Sequence, residues 1–162
     1  MTQLGRKITA RGVKPIARYK HAFKNTYLYG SFSPLNGNCF VYEIEGTTSD
    51  IFYEYLLKMS EYNPKEFKIL VIDNAGFHSL KGRELPENIG LLRIPPYSPE
   101  LNPAERVWGY IKEKFKGVCF EKLDDVKQWL HNFIKEELPA DRVISLTAYK
   151  QYTNCFIAHG YS

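Results

Sequence analysis

The sequence lacks the features that mark a membrane protein, a disulfide-rich protein or a zinc site. No apolar run approaches the ~20 residues that a membrane-spanning helix needs, and residues 1–12 contain no apolar segment of a signal peptide. Its three cysteines, Cys39, Cys119 and Cys155, are odd in number and far apart. This usage fits reduced thiols in the cytoplasm better than disulfides or a Cys/His zinc site. We therefore expect a cytoplasmic protein.

Acidic residues are absent from the first 24 positions. The same stretch carries seven basic groups, namely Arg6, Lys7, Arg11, Lys14, Arg18, Lys20 and Lys24. The rest of the chain holds 15 basic and 18 acidic groups. Such a basic arm on a nearly neutral body favours contact with nucleic acid, although a solvated tail has the same composition. The 162 residues predict this arm, 1–24, and one folded domain, 25–162.

The first predicted elements are a β-hairpin and a helix. "TYLYGSF" and "CFVYEIE" are β-rich stretches that flank "PLNGN", whose Asn-Gly pair is a strong hairpin signal. Thr48 or Ser49 is a suitable N-cap for the helix that follows. Its apolar residues recur at helical spacing: Ile51, Tyr55, Leu56 and Met59.

Two strands and two helices are predicted next. Residues 67–73 form a continuous apolar run, typical of a central strand covered on both faces, and 89–95 form a second short strand. Helices are predicted over 102–116 and 124–138, the second ended by Pro139. The order hairpin, helix, strand, strand, helix, helix predicts a mixed α/β sheet flanked by helices. The first helix should cross over to a parallel neighbouring strand.

Asp73 is the first candidate for chemistry, in the stretch "VIDNAGFHS". A carboxylate at the carboxyl end of a buried strand lies where α/β proteins place ligands. Asn74 and His78 follow in the same loop. A turn-capping role accounts for Asp73 equally well.

Glu105 is the second candidate, in "IPPYSPELNPAERVW". With Asn102 as N-cap, "NPAE" is a capping-box pattern in which Glu105 reaches back to the Asn102 amide. The stretch also contains four prolines, which are Pro95, Pro96, Pro99 and Pro103. Their fixed φ angles stiffen the loop and would hold Glu105 near Asp73. Two acids without a basic partner favour a divalent cation, and oxygen ligands suit Mg²⁺ or Mn²⁺.

The combination "VIDNAGFH" and "LLRIPPYSPELNPAERVWGYIK" closely resembles the catalytic domain of DDE transposases. The similarity is to the mariner-like superfamily and its bacterial insertion-sequence relatives, and it extends from about Thr2 to about Leu138. The motif residues are Asp73, Asn74, His78, Pro96, Tyr97, Ser98, Pro99, Leu101, Asn102, Pro103, Glu105, Trp108 and Lys112.

This resemblance implies an RNase H-like (integrase-like) fold and metal-dependent DNA cleavage and strand transfer by in-line attack on phosphodiesters. It implies that Asp73 and Glu105 are catalytic metal ligands for Mg²⁺ or Mn²⁺ in a two-metal site. The supporting residues would be Asn74, His78, Tyr97, Ser98, Asn102 and Lys112. We interpret Trp108 as core packing rather than a base-stacking platform.

The resemblance also implies a first catalytic Asp on a preceding strand, which this chain does not contain. That Asp and its strand are expected just upstream of Met1, and the family's helix-turn-helix is absent as well. The isolated chain is therefore expected to be inactive or impaired. Double-stranded DNA, namely element ends and target, and a second subunit of a homodimer are the expected partners, in a bacterial or archaeal cytoplasm with its nucleoid. An inactive remnant that only binds DNA or dimerises is the alternative.

Overall fold

The computed structural model describes residues 27–118, 120 and 122–157, with side chains up to Asn154. The predicted basic arm lies outside these residues. Four strands and five α-helices occur in the described part, where no helix is long and apolar enough to cross a membrane. In chain order they are β1 (Tyr27–Phe32), β2 (Cys39–Ile44), α1 (Ser49–Glu61), β3 (Lys68–Ile72), β4 (Ile89–Arg93), α2 (Ala104–Phe115), α3 (Leu123–Glu137), α4 (Ala140–Thr147) and α5 (Lys150–Ile157).

Strands β1 and β2 form the predicted antiparallel hairpin. The register pairs Tyr29 with Tyr42 and Phe32 with Cys39. Gly37 adopts a φ of 73° in the connecting turn, a conformation that glycine accepts without steric cost. Because side chains alternate along a strand, Tyr29 faces one side of the hairpin and Gly30 the other.

Helix α1 begins where the sequence predicts. The side chain of Thr48 accepts a hydrogen bond from the Ile51 amide at 3.2 Å, as an N-cap does. The helix buries Phe52, Tyr55, Leu56 and Met59 in one hydrophobic cluster. Ile51, expected on this face, is only partly buried; the neighbouring Phe52 takes the central position instead.

Strands β3 and β4 are parallel neighbours. Their register pairs Lys68 with Ile89 and Ile72 with Arg93. The expectation that β3 is covered on both faces is wrong: Leu70 is buried against α1, but the side chain of Ile69 on the other face is 54% exposed. The reason is that α2, α3 and α4 pack behind the hairpin rather than behind β3.

The described strands form two separate two-stranded sheets instead of the single mixed sheet predicted. One sheet pairs β1 with β2, and the other pairs β3 with β4. Among the described strands, neither strand before α1 pairs with β3, so the crossover that was predicted through α1 to a parallel neighbouring strand is not formed there. Helix α1 joins the two sheets because its buried face contacts both the hairpin and the β3–β4 pair.

A second hydrophobic cluster joins the hairpin to the later helices. It contains the buried residues Val107, Ile111, Phe133, Leu138 and Val143. Val107 and Ile111 are the buried residues of α2, and Phe133 is the most buried residue of α3. On α3, Val126, Leu130 and Ile134 are only partly buried.

Candidate active site

Asp73 follows β3 immediately and lies at the carboxyl end of the parallel pair. Its Oδ1 atom accepts a hydrogen bond from the Ala75 amide at 3.0 Å, which is the turn-capping contact that the sequence allowed. The same oxygen lies 2.6 Å from Nδ1 of His78. The side chain of Asp73 is nevertheless 55% exposed. The turn therefore fixes one carboxylate oxygen and leaves the group open to a ligand.

His78 occupies an aromatic enclosure beside Asp73. The centre of its ring lies 4.7 Å from that of Phe52, 4.6 Å from that of Phe77 and 6.1 Å from that of Tyr29. The 2.6 Å approach to Asp73 is poorly aligned for an N–H donor, and Nδ1 has no well-formed hydrogen bond. Packing thus positions this imidazole against the carboxylate more than hydrogen bonding does.

Two further contacts fasten the Asp73 loop to β4. The side-chain amide of Asn74 donates to the carbonyl oxygen of Ile94 at 2.6 Å. The Arg93 guanidinium donates to the backbone carbonyl of His78 and, at 3.5 Å, to that of Asp73. Asn74 was predicted as a supporting residue, whereas Arg93 was not. The sequence feature that could have identified Arg93 is its place in "LLRIP", at the end of the strand that pairs with the strand before Asp73.

Tyr29 is a second neighbour that the sequence did not identify. Burial raises the pKa of its phenol, and the negative charge of Asp73 raises it further. Its hydroxyl is buried and has no hydrogen-bond partner among the residues that the structure describes. Buried polar groups are nearly always paired, so this hydroxyl beside the Asp73 carboxylate is an exception.

The N-terminus of α2 differs from the predicted capping box. The Asn102 amide donates to the Pro99 carbonyl within a short 3₁₀ helix, Pro99–Leu101, so Glu105 does not bond to it. Pro103 is the cap residue, and the Asn102 side chain instead accepts from the Ala104 amide at 3.1 Å. Glu105 is exposed. In the part of the chain that the structure describes, its carboxylate forms no hydrogen bond or ion pair.

Strand β1 contacts both the Asp73 loop and helix α2. Tyr29 faces His78, and on the opposite side of the strand a Cβ atom on Gly30 would lie 2.7 Å from the Trp108 indole. Trp108 also packs edge-on against Phe32 with 5.3 Å between ring centres, which confirms its core role. One strand therefore anchors the helix of Glu105 and the loop of Asp73.

The remaining predicted supporting residues lie along the connection to α2 and on that helix. Tyr97 is fully exposed, Ser98 is half-buried, and Lys112 is exposed two turns after Glu105. Asp73 and Glu105 offer oxygen donors, which suit Mg²⁺ or Mn²⁺. Among the described residues, no group of three or more His, Cys, Asp or Glu side chains could hold a metal. The donor type therefore fits such an ion, while the number of ligands in this part falls short.

The sequence of the chain matches a known protein family. The family described as DDE superfamily endonuclease matches residues 2–128. The chain belongs to this family. The chain is also 28% identical, over 102 residues, to the uncharacterized protein y4pE/y4sA of Sinorhizobium fredii (strain NBRC 101917 / NGR234). That match covers 62% of the chain and 76% of the relative.

Two solved structures resemble the chain. One is the Mos1 transposase paired-end complex with left transposon end, at a TM-score of 0.69 and 15% identity. The other is the Mos1 strand transfer complex, at a TM-score of 0.67 and 16% identity. Each match covers 96% of the chain and 50% of the Mos1 chain, so the chain spans half the length of these structural relatives. The likeness confirms the RNase H-like fold.

Proposed function

We propose that this DDE endonuclease is a transposase catalytic domain that cuts and joins DNA with divalent metal ions. The observation that carries the proposal is the pair Asp73 and Glu105. Each carboxylate is solvent-accessible and, in the described part, forms no ion pair with lysine or arginine. Their elements are connected twice, through the strand pair β3–β4 and through β1.

The electrostatics of the two positions suit a cation and a phosphate. Glu105 lies in the first turn of α2, where the dipole of the helix favours a negative charge. Asp73 carries its charge next to the buried Tyr29 hydroxyl. An Mg²⁺ ion takes few protein carboxylates and completes its shell with water and substrate phosphate. A further carboxylate would come from outside the described residues.

Asp73 and Glu105 would hold the metal, His78 would keep the Asp73 carboxylate in position, and Arg93 would hold the loop carbonyls. When bound, the metal would stabilise the attacking and leaving oxygens of a displacement at phosphorus. Tyr29 could donate a hydrogen bond to a phosphate oxygen, and Lys112 would contact a flanking phosphate. The substrate would be double-stranded DNA, held partly by the basic arm, with a second copy of the chain as partner.

Nicking of supercoiled plasmid in Mn²⁺ tests the proposal, with the chain itself and with a version extended upstream. Asp73→Asn and Glu105→Gln should each lower the nicking rate more than about 100-fold, because each removes a metal ligand. Glu113→Gln is the matched control, since Glu113 is exposed on the same helix and should leave the rate unchanged. Mn²⁺ binding, followed by electron paramagnetic resonance, should weaken in the two acid variants alone.

Two results would contradict this function in different ways. If Mn²⁺ binding is insensitive to both acid substitutions, Asp73 and Glu105 do not form a metal site. If metal and DNA bind but no form of the protein nicks DNA, the chain is the alternative: a remnant that only binds DNA or dimerises.

A further inference from the structure

In the described part of the chain, Tyr97 combines a strained backbone conformation with a fully exposed side chain. Its φ is 60°, and only Asn63 and Lys81 share a positive φ among the described non-glycine residues. Asparagine adopts this conformation readily, whereas a bulky aromatic residue does so under strain. The Tyr97 ring is also fully exposed, at 101% of the reference area. Burial therefore does not compensate for the strain.

The loop around Tyr97 is braced on both sides. Pro96 precedes it, and the 3₁₀ helix beginning at Pro99 follows. The hydroxyl of Tyr152 in α5 donates to the Leu101 carbonyl at 2.8 Å, which ties that 3₁₀ helix to the body of the protein. The ring is thus held outward on a stiff support, because proline fixes the backbone and reduces the entropy of the loop.

The position of Tyr97 relates it to both candidate metal ligands. It lies four positions after Arg93, which bonds to the loop of Asp73, and eight positions before Glu105. A strained residue persists when the surrounding structure holds it there, and such residues concentrate at ligand sites. An exposed ring between two candidate catalytic segments indicates a contact with the substrate.

We propose that Tyr97 is a stacking platform for an unpaired base of the DNA strand bound at the Asp73–Glu105 site. This inference rests on the proposed function. Aromatic side chains stack on any base because every base has a π-face, and tyrosine loses little conformational entropy on contact. Cutting and joining DNA ends exposes bases beside the reacting phosphate, and a rigid ring there would keep one of them out of the duplex.

The adjacent surface supplies charge for the same strand. An open depression is lined by Glu100, Arg106, Tyr149 and Lys150. The Arg106 guanidinium lies 4.5 Å above the Tyr149 ring, which holds it in place. Two cations against one acid leave this depression suited to phosphate, as grooves for single-stranded nucleic acid require.

Fluorescence of 2-aminopurine tests the inference. The probe is a forked DNA duplex with one unpaired 2-aminopurine at the junction, compared with a fully paired duplex of the same sequence. Wild-type protein should quench the unpaired probe and prefer the fork, because tyrosine stacks on it. Tyr97→Ala should remove the quenching and reduce the preference about 5- to 100-fold, whereas Tyr97→Phe should retain both.

Tyr97→Gly separates binding from folding. Glycine relieves the positive φ, so this variant should melt about 2–4 °C higher than wild type while losing the quenching. Phe67→Ala is the matched control, because Phe67 is a 63% exposed aromatic residue just before the opposite end of β3 from Asp73. It should behave as wild type in both DNA assays.

The outcomes distinguish this inference from the proposed function. If wild type binds paired and forked DNA with a salt-dependent affinity, and Tyr97→Ala quenches as wild type does, the stacking role is wrong and the function stands. If the wild-type protein binds neither the forked nor the paired duplex, the stacking role and the proposed function are both wrong. If Tyr97→Ala instead changes only the association state of the protein in ultracentrifugation, the ring contacts a second chain rather than a base.

Discussion

His78 places its Nδ1 atom 2.6 Å from Oδ1 of Asp73, and the rings of Phe52 and Phe77 hold it there. The imidazole has little freedom to move away, because its side chain is only 13% exposed. It therefore limits the orientations that the Asp73 carboxylate can adopt. Positioning groups of this kind contribute to metal affinity without touching the metal.

His78→Phe should separate the packing of this ring from its polar role. Phenylalanine keeps the aromatic contacts but removes the nitrogen beside Asp73, so the melting temperature should change little. Mn²⁺ affinity should fall about 10- to 100-fold, as for other residues that orient a metal ligand. Isothermal titration calorimetry measures the affinity. Wild-type affinity in this variant would leave His78 with a structural role in the turn alone.

Tyr29→Phe should stabilise the free protein and slow DNA cleavage. The hydroxyl is buried and has no hydrogen-bond partner in the described part of the chain, and such a group costs about 1–3 kcal/mol in folding free energy. Its removal should raise the free energy of unfolding by about 1 kcal/mol, measured by urea denaturation. The nicking rate should fall because a donor near the phosphate is lost. An unchanged rate would show that the hydroxyl does not act on substrate.

Gly30→Ala should loosen the contact between β1 and α2. A Cβ atom at this position would lie 2.7 Å from the Trp108 ring, so the indole or the helix must shift. Overpacking of this kind costs about 1–3 kcal/mol, which thermal denaturation would detect. Adding Trp108→Leu should recover part of that loss by making room. If the double variant is less stable than the sum of the two single changes predicts, the contact is not the cause.

Cys39 should react slowly with alkylating reagents near neutral pH. Burial raises the pKa of its thiol to about 11, so the reactive thiolate is scarce at pH 8. With Cys119 and Cys155 replaced by serine, the iodoacetamide rate should rise about tenfold per pH unit up to about pH 11. A free thiol such as glutathione should level off near pH 9. A Cys39 rate that levels off there too would contradict the burial.

The raised pKa of the Cys39 thiol also predicts how the stability of the protein depends on pH. Between about pH 9 and pH 11 the unfolded thiol ionises while the folded one stays protonated. The contribution of the neutral thiol to folding is therefore complete below about pH 9 and is lost as the pH rises to about 11. Cys39→Ala should remove this part of the pH dependence in urea denaturation, leaving any contribution from tyrosines.

Local signals in the sequence predicted local structure well. The Asn-Gly turn, the Thr48 cap and the existence of strands β3 and β4 each depend on residues close in the chain or on simple periodicity. The family motif predicted which loop and which helix carry Asp73 and Glu105. These features need no knowledge of tertiary packing.

Long-range packing explains the errors. The apolar run at β3 indicates burial on both faces, yet Ile69 is exposed because the later helices pack behind the hairpin. The capping box failed because the Pro99 carbonyl competes for the Asn102 amide. Tyr29 and Arg93 were missed for a related reason: Tyr29 lies outside the motif stretches, Arg93 is not one of the motif residues, and both reach Asp73 only through the fold.

Gly37 has a consequence for any selection experiment on this protein. A side chain there would meet the backbone of Ala140 at 2.3 Å, at a φ of 73° that already favours glycine. In a randomised library selected for transposition, position 37 should therefore remain as invariant as positions 73 and 105. In a library selected only for folding, with a fluorescent folding reporter, Gly37 should stay fixed while Asp73 and Glu105 drift freely. The selection for transposition alone therefore cannot distinguish a glycine required by the hairpin turn from the acids of the candidate active site.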